Sequence, residues 1–277
     1  MSAEDKRPGR SGSLLLAGKL LLGVGLIIVV VLLISGFRRH DSAIGFNDKS
    51  AGHGWNGGNA PAALSPFQQA KADIASLSAE TVVGRIKVYS EMSADSKVIK
   101  EFPQFDKYRM PTTFLVTAEG TAKDGAPWYH VLAPTRPNGT TGWIRAADTR
   151  AAEVTHSIKV SLANHRLDLF ERGQLVKSYP VGVGKEGTRT PSGKFFFTTK
   201  VRPKERNGMY GVLAIGISAY SDTLTDWPGG GQVGIHGTND DAGIGHDVSH
   251  GCIRMHNADI MAITEVCPLG TPVTVEQ

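Results

Sequence analysis

Ile158-Lys159-Val160-Ser161-Leu162-Ala163-Asn164-His165-Arg166-Leu167-Asp168-Leu169 alternates apolar and polar residues on both sides of a short polar break. A period of two puts every second side chain on one face, so each arm predicts a half-buried strand, and Ala163-Asn164-His165 predicts the turn of a hairpin. Outward from it, Arg172-Gly173 marks another turn before an apolar run from Leu175 to Val181. Phe195-Phe196-Phe197 supplies a buried strand and 214–220 a further one. Asp259 to Val266 reads as a short helix closing the chain, with Pro268-Leu269-Gly270 as its stop. Residues 156–277 are thus expected to form one mainly-β module, a meander or sandwich with a few short helices.

Upstream, Val82–Tyr89, Thr113–Thr117, Trp128–Leu132 and Thr141–Ile144 are short alternating segments separated by turns, predicting a small β-barrel over 81–150. Trp128 and Trp143 are expected to fill its core, because so small a barrel needs large buried side chains. Arg136-Pro137-Asn138-Gly139 reads as a hairpin turn, Asn-Gly supplying positive φ angles. Residues 38–80 read as a linker: His40 to Leu64 is rich in Gly, Asn, Ala and Ser and has no apolar period. A short helix then begins with Ser65 as N-cap and Pro66 in the first helical position, Phe67, Ala70, Ile74 and Leu77 sharing a face.

The N-terminal part, 1–37, carries a different signal. Residues 14–37 are almost wholly apolar, interrupted by Lys19 and small residues, and about 20 such residues span a bilayer. Lys6, Arg7, Arg10 and Lys19 precede the apolar core, and Arg38 and Arg39 follow it, a modest bias that favours the N-terminus inside. A cleaved signal peptide is the alternative, but no Ala-x-Ala-like site follows Ile34. The expectation is a single-pass membrane protein with its C-terminal module on the extracytoplasmic side.

The 277 residues fit more than one domain. A net charge of +4, without a basic run interleaved with aromatics, argues against nucleic acid as a partner. Asp168, Glu171 and Glu186 form no convincing carboxylate pair, which removes glycosidase chemistry.

Chemistry concentrates in Ser249-His250-Gly251-Cys252-Ile253-Arg254, preceded by His236-Gly237-Thr238. A thiol becomes a strong nucleophile only as thiolate, so a nearby imidazole must take its proton; Cys252 and His236 fit these roles. Gly251 allows backbone to approach a substrate closely. Cys267, at the end of an amphipathic helix, reads as a core residue, although a Cys252–Cys267 disulfide remains open. Zinc bound by His236, His246, His250, Cys252 and His256 is the competing reading, but neither Cys-x-x-Cys nor His-Glu-x-x-His spacing occurs, and no metal or other cofactor is expected.

From about His156 onward the chain resembles the L,D-transpeptidase catalytic domain of YkuD type. The residues that carry the resemblance are Val181-Gly182-Val183-Gly184, Thr190-Pro191-Ser192-Gly193, Gly231-Gln232-Val233-Gly234-Ile235-His236 and Ser249-His250-Gly251-Cys252, in that order. It implies a cysteine acyltransferase acting on peptidoglycan stem peptides: Cys252 attacks a tetrapeptide, D-alanine leaves, and an amine of a neighbouring stem peptide resolves the thioester into a crosslink between third-position residues.

His236 would be the general acid and base, oriented by a backbone carbonyl near Gly237, and amides around Gly251 and Cys252 would hold the oxyanion. Ser249 would fix the loop, His250 line the donor pocket and Arg254 grip a substrate carboxylate; some relatives carry Asn in place of Arg254. Tyr210, Gly211, the 214–220 strand, Trp227 and the glycines at 229–231 sit where the family builds the donor-side wall. The loop from Asn239 to Gly245 is expected to be compact.

Trp128-Tyr129-His130-Val131 and Gly142-Trp143-Ile144 resemble a bacterial Src-homology-3-like domain, which implies wall-polymer binding or pocket shaping. The alternatives are an L,D-carboxypeptidase or peptidase on the same stem peptide, and a non-catalytic wall-binding scaffold.

Overall fold

The computed structural model describes residues 64–72, 75–225 and 229–277, all within one compact unit spanning 59–277. The apolar stretch 14–37, most of the linker, Ile74 and Trp227 lie outside the described residues. Among the described residues no helix is long and apolar enough to cross a membrane.

Helix α1 (Pro66–Ala72) opens the described chain. Its start is a reciprocal cap: Ser65 Oγ accepts from Gln68 N at 3.2 Å, and Gln68 Oε1 accepts from Ser65 N at 3.2 Å. The helix is shorter than its apolar spacing suggests. Leu77, expected on its face, instead sits in a strand opposite Val116, at 2% exposure.

That strand is β1 (Ser76–Thr81), followed by β2 (Arg85–Tyr89), β3 (Val98–Pro103), β4 (Thr113–Thr121), β5 (Pro127–Leu132), β6 (Thr141–Arg145) and β7 (Thr149–Val154). They form one antiparallel sheet in the order β3-β2-β6-β5-β4-β1-β7. The Val82–Tyr89 segment is two elements, because Val82 to Gly84 turn the chain between β1 and β2, with Val82 left 47% exposed. Pairing of Ser76 with Val154 extends the sheet beyond 81–150 at both ends. Leu77, Ile86, Val88, Phe114, Val131 and Ile144 form its core with Ala70 of α1. Trp128 is buried and Trp143 half-buried, the latter edge-on to His130 at 5.0 Å.

The second sheet contains the expected hairpin as β8 (His156–Ser161) and β9 (Arg166–Glu171), continued by β10 (Gln174–Pro180). Then come β11 (Val183–Gly184), β12 (Gly193–Val201), β13 (Ala214–Tyr220), β14 (Gln232–His236), β15 (Asp247–Ser249), β16 (Ile253–Arg254), α2 (Asn257–Val266) and β17 (Pro272–Glu276). Eight of these strands share one sheet in the order β10-β9-β8-β17-β12-β13-β14-β16, while β11 and β15 pair separately.

Two features differ from a simple meander. The chain does not close on α2, because β17 returns to the sheet between β8 and β12. The pairings β17 with β8 and β14 with β16 are parallel, which adjacent hairpins cannot produce. Along β12, Gly193–Phe196 pair with β17 whereas Phe197–Val201 pair with β13, so one strand joins the hairpin half of the sheet to the half that carries β14. Phe195 and Phe197 belong to the core beneath, together with Ile215, Ile235, Ile253 and Cys267.

Candidate active site

The parallel pair β14–β16 builds the site from its register: Ile235 lies opposite Ile253 and His236 opposite Arg254. Alternation sends Ile235 and Ile253, both fully buried, into the core. His236 and Arg254 therefore share the other face with Gly234 and Cys252, each two residues away. The strand register thus brings Cys252 and His236 to one face, and both residues line the same two cavities.

His236 is 4% exposed, and its Nδ1 lies 2.5 Å from the Gly237 carbonyl oxygen. A carbonyl only accepts, so Nδ1 carries the hydrogen and Nε2 is left as the basic nitrogen. Burial pushes the imidazole down to about 4, the Gly237 hydrogen bond opposes this, and the charge of Arg254 reinforces it. Neutral imidazole is therefore the form present at pH 7. Tyr210, 36% exposed, meets the ring edge-on with centroids 4.9 Å apart.

Cys252 is a free thiol, half-buried, while the free Cys267 is fully buried in the core, so the alternative of a disulfide is not realised. Burial raises the Cys252 thiol above its ordinary range, and hydrogen bonding to the Gly234 backbone and the charge of Arg254 both pull it back. A neutral thiol beside a neutral imidazole is the resting state these shifts favour.

The turn before Cys252 is held by side chains. Ser249 Oγ donates to the Cys252 carbonyl at 2.5 Å and accepts from Gly251 N at 3.0 Å. Gly251 has φ of 116°, a conformation that side chains disfavour, which accounts for glycine there. Thr190 buttresses the turn from below: its Oγ1 accepts from Gly184 N at 2.9 Å and donates to the Gly251 carbonyl at 3.0 Å. The Gly251 N–H is thus engaged by Ser249. Gly237 has a packing reason to be glycine, since a Cβ there would lie 2.1 Å from Asn257 Oδ1.

Arg254 is tied to Gly182 by two backbone hydrogen bonds, 2.9 and 2.8 Å. Its Nη1 lies 3.8 Å from Asp240, and its buried Nε has no hydrogen-bond partner. His250 is exposed at the mouth of the first cavity. The loop after His236 is compact, with a single 3-10 turn at Asp241–Gly243, and His256 pairs with Asp241 at 2.9 Å. Among the described residues no three His, Cys, Asp or Glu side chains are grouped as metal ligands.

The structure brings His236, Ser249, His250, Cys252, Arg254 and Tyr210 to one cavity of about 480 Å³, its open mouth included. Gly211 lies beside Gly237 at Asn257, and Gly231 lines the same cavity. Thr190, which the sequence offers only as part of a Thr-Pro-Ser-Gly motif, is the site residue that pattern reading leaves without a role. Its signal is chemical: a buried Thr, 2% exposed, next to proline and between glycines at 187 and 193.

Comparison with known proteins gives a consistent picture. The L,D-transpeptidase catalytic domain, YkuD, matches residues 155–275. The putative L,D-transpeptidase YkuD of Bacillus licheniformis is 39% identical over 132 residues, covering 48% of this chain and 70% of that protein. Its counterpart in Bacillus subtilis is 36% identical over 124 residues, covering 45% and 68%. Among solved structures, Bd1075 of Bdellovibrio bacteriovorus is 27% identical with a TM-score of 0.37, over 44% of this chain and 48% of that one. With a site arranged in this way and two Bacillus relatives matched over more than two thirds of their length, the chain belongs to the YkuD-type L,D-transpeptidase family.

Proposed function

We propose that the protein is a peptidoglycan L,D-transpeptidase working through a Cys252 thioester. The observation that carries this reading is the parallel register that sets Cys252 and a neutral, Gly237-oriented His236 on one face of β14–β16. His236 Nε2 takes the thiol proton as Sγ attacks the carbonyl that joins the third residue of a stem tetrapeptide to its terminal D-alanine. The tetrahedral oxyanion is held by the Cys252 N–H, a contribution of about 3 kcal/mol for a well-placed donor. The imidazolium then protonates the leaving amine, the C–N bond breaks, D-alanine departs and the thioester remains.

In the second half, the side-chain amine of a neighbouring stem peptide attacks the thioester. His236 accepts its proton, the C–S bond breaks, and the thiol is reprotonated, giving a bond between two third-position residues. Arg254, a half-buried cation with an unpartnered Nε at the first cavity, suits the anionic stem peptide, and exposed His250 lies at the mouth. Water in place of the amine makes the same site a carboxypeptidase, which is the second reading. No step requires a metal or organic cofactor.

The 14–37 segment, as an anchor with the N-terminus inside, brings this site to the wall. The first sheet, read as a Src-homology-3-like module, adds contact with wall polymer. Intact mass of the full chain after incubation with a disaccharide tetrapeptide tests the reading. A thioester adduct with loss of D-alanine is expected for wild type and absent for Cys252→Ala; no adduct on a reduced, alkylatable wild-type thiol overturns it in favour of the wall-binding scaffold.

A further inference from the structure

The expected hairpin turn at 136–139 does join β5 to the antiparallel β6, and its side chains also reach from the first sheet onto the second. The Arg136 guanidinium donates through Nη1 to the Ser221 carbonyl at 2.9 Å and through Nη2 to the Gly230 carbonyl at 3.0 Å, and it stacks over the Tyr220 ring at 5.0 Å. Asn138 pairs with the Tyr220 backbone at both ends of its amide, donating to the carbonyl at 2.7 Å and accepting from the N–H at 2.9 Å. Tyr220 returns the contact by donating from its hydroxyl to the Pro134 carbonyl at 3.1 Å.

These bonds fall on the rim of the catalytic cleft. Ser221, Leu224, Gly231 and Gln232 line the cavity that holds Cys252, and Ser221 N donates to the Gly231 carbonyl at 2.8 Å. One planar fork thus spans carbonyls on both arms of the rim, a geometry an ammonium cannot reproduce. Packing leaves no slack: a Cβ on Gly231 would lie 2.8 Å from Arg136 Nη2 and 1.8 Å from the Leu224 carbonyl.

A second contact lies nearby. Behind Cys252 and His236 the cleft continues into a cavity of about 820 Å³, partly open, whose far wall includes Tyr108 of the β3–β4 turn. That turn is held by Asp106 Oδ1, which accepts from Tyr108 N at 2.8 Å and Met110 N at 2.9 Å. Lys107 sits over the Tyr108 ring, 5.0 Å away, and lines the adjoining cavity that shares Tyr108 and Gln232. An aromatic wall with a cation beside it, continuous with the nucleophile, suits a peptide that carries carboxylates.

We propose that the first sheet is a working part of the substrate cleft: Arg136 and Asn138 are positioning residues for the rim at Tyr220, Ser221 and Gly230, and Tyr108 is a specificity wall for the amine-bearing peptide. This rests on the transpeptidase reading above and assigns part of its substrate recognition to the non-catalytic sheet.

The experiment compares full-length wild type, Arg136→Ala, Arg136→Lys and Tyr108→Ala. It measures thioester formation from a disaccharide tetrapeptide, crosslinking against hydrolysis with a second stem peptide, alkylation of Cys252 by iodoacetamide, and thermal unfolding. Arg136→Ala is expected to lower acylation kcat/KM by about 10-fold or more, mostly through KM, with alkylation unchanged, and Arg136→Lys to recover only part of it. Tyr108→Ala is expected to shift products severalfold toward hydrolysis, measured as crosslink formed per thioester formed.

Folded variants that acylate and crosslink like wild type overturn the proposal, as does loss of alkylation in step with acylation. If Arg136→Ala fails to fold, Arg136→Lys and Tyr108→Ala decide the matter by the same measures. A wild type that forms no thioester removes the transpeptidase reading, and a wild type that forms one beside unaffected variants removes this inference alone.

Discussion

The two cysteines of this chain lie 15 positions apart, one lining a cavity and the other sealed in the core. Cys252 sits at the foot of a cavity, half-buried, with Gly234 and Arg254 both pulling its pKa back against burial. Cys267 sits at the end of α2 with no exposure; burial pushes its pKa up to about 12 although Lys200 and Thr271 oppose the shift. Both are buried enough for desolvation to dominate, so burial alone does not separate them. Access and an adjacent base do.

The contrast is sharpest under replacement. Cys252→Ala should abolish the thioester adduct, while Cys267→Ala should leave acylation unchanged and cost about 1 kcal/mol in urea unfolding, a small core cavity. An adduct that survives the first substitution breaks the comparison. His236→Ala should lower acylation about 10³-fold, the middle of the range for a general base, with Cys252 still alkylatable by iodoacetamide.

Acid adds a stability test next in size. Between pH 6.5 and about 4 the unfolded chain binds a proton at His236 that the native state excludes, so stability should fall as pH drops through that window, by up to about 3 kcal/mol. His236→Gln should flatten that part of the urea-denaturation profile. Last and smallest, Arg254→Ala should raise the Cys252 pKa further and slow its alkylation a few fold at pH 7. Alkylation of wild type should climb with pH across the neutral range; a flat profile from pH 5 would mean a preformed thiolate–imidazolium pair.

Much of the site was legible before any coordinates because its chemistry is local. Ser249, Gly251 and Cys252 lie within four positions, and His236 ends a strand whose alternation, Val233 and Ile235 inward, can be read directly. The hairpin of β8 and β9 was legible for the same reason. Long-range pairing left no such mark: β17 follows a helix and a Pro-Leu-Gly stop signal, and nothing in Pro272–Glu276 names β8 and β12 as its neighbours. Leu77 misled because one apolar residue at helical spacing also fits an inward-facing position of a strand. Arg136 and Asn138 looked like turn residues, and their partners are backbone atoms, 82 to 94 positions away, that carry no sequence signature.

The position of β17 also bears on when the sheet beneath the candidate site is complete. Val273 pairs with Ile158 and Phe195 at once, so the sheet runs continuously from the hairpin half to the half carrying β14 only when a segment some 20 residues past Cys252 has arrived. Contacts of such separation form slowly. A chain still emerging, with Cys252 already made, therefore has an incomplete sheet beneath that residue until β17 is in place.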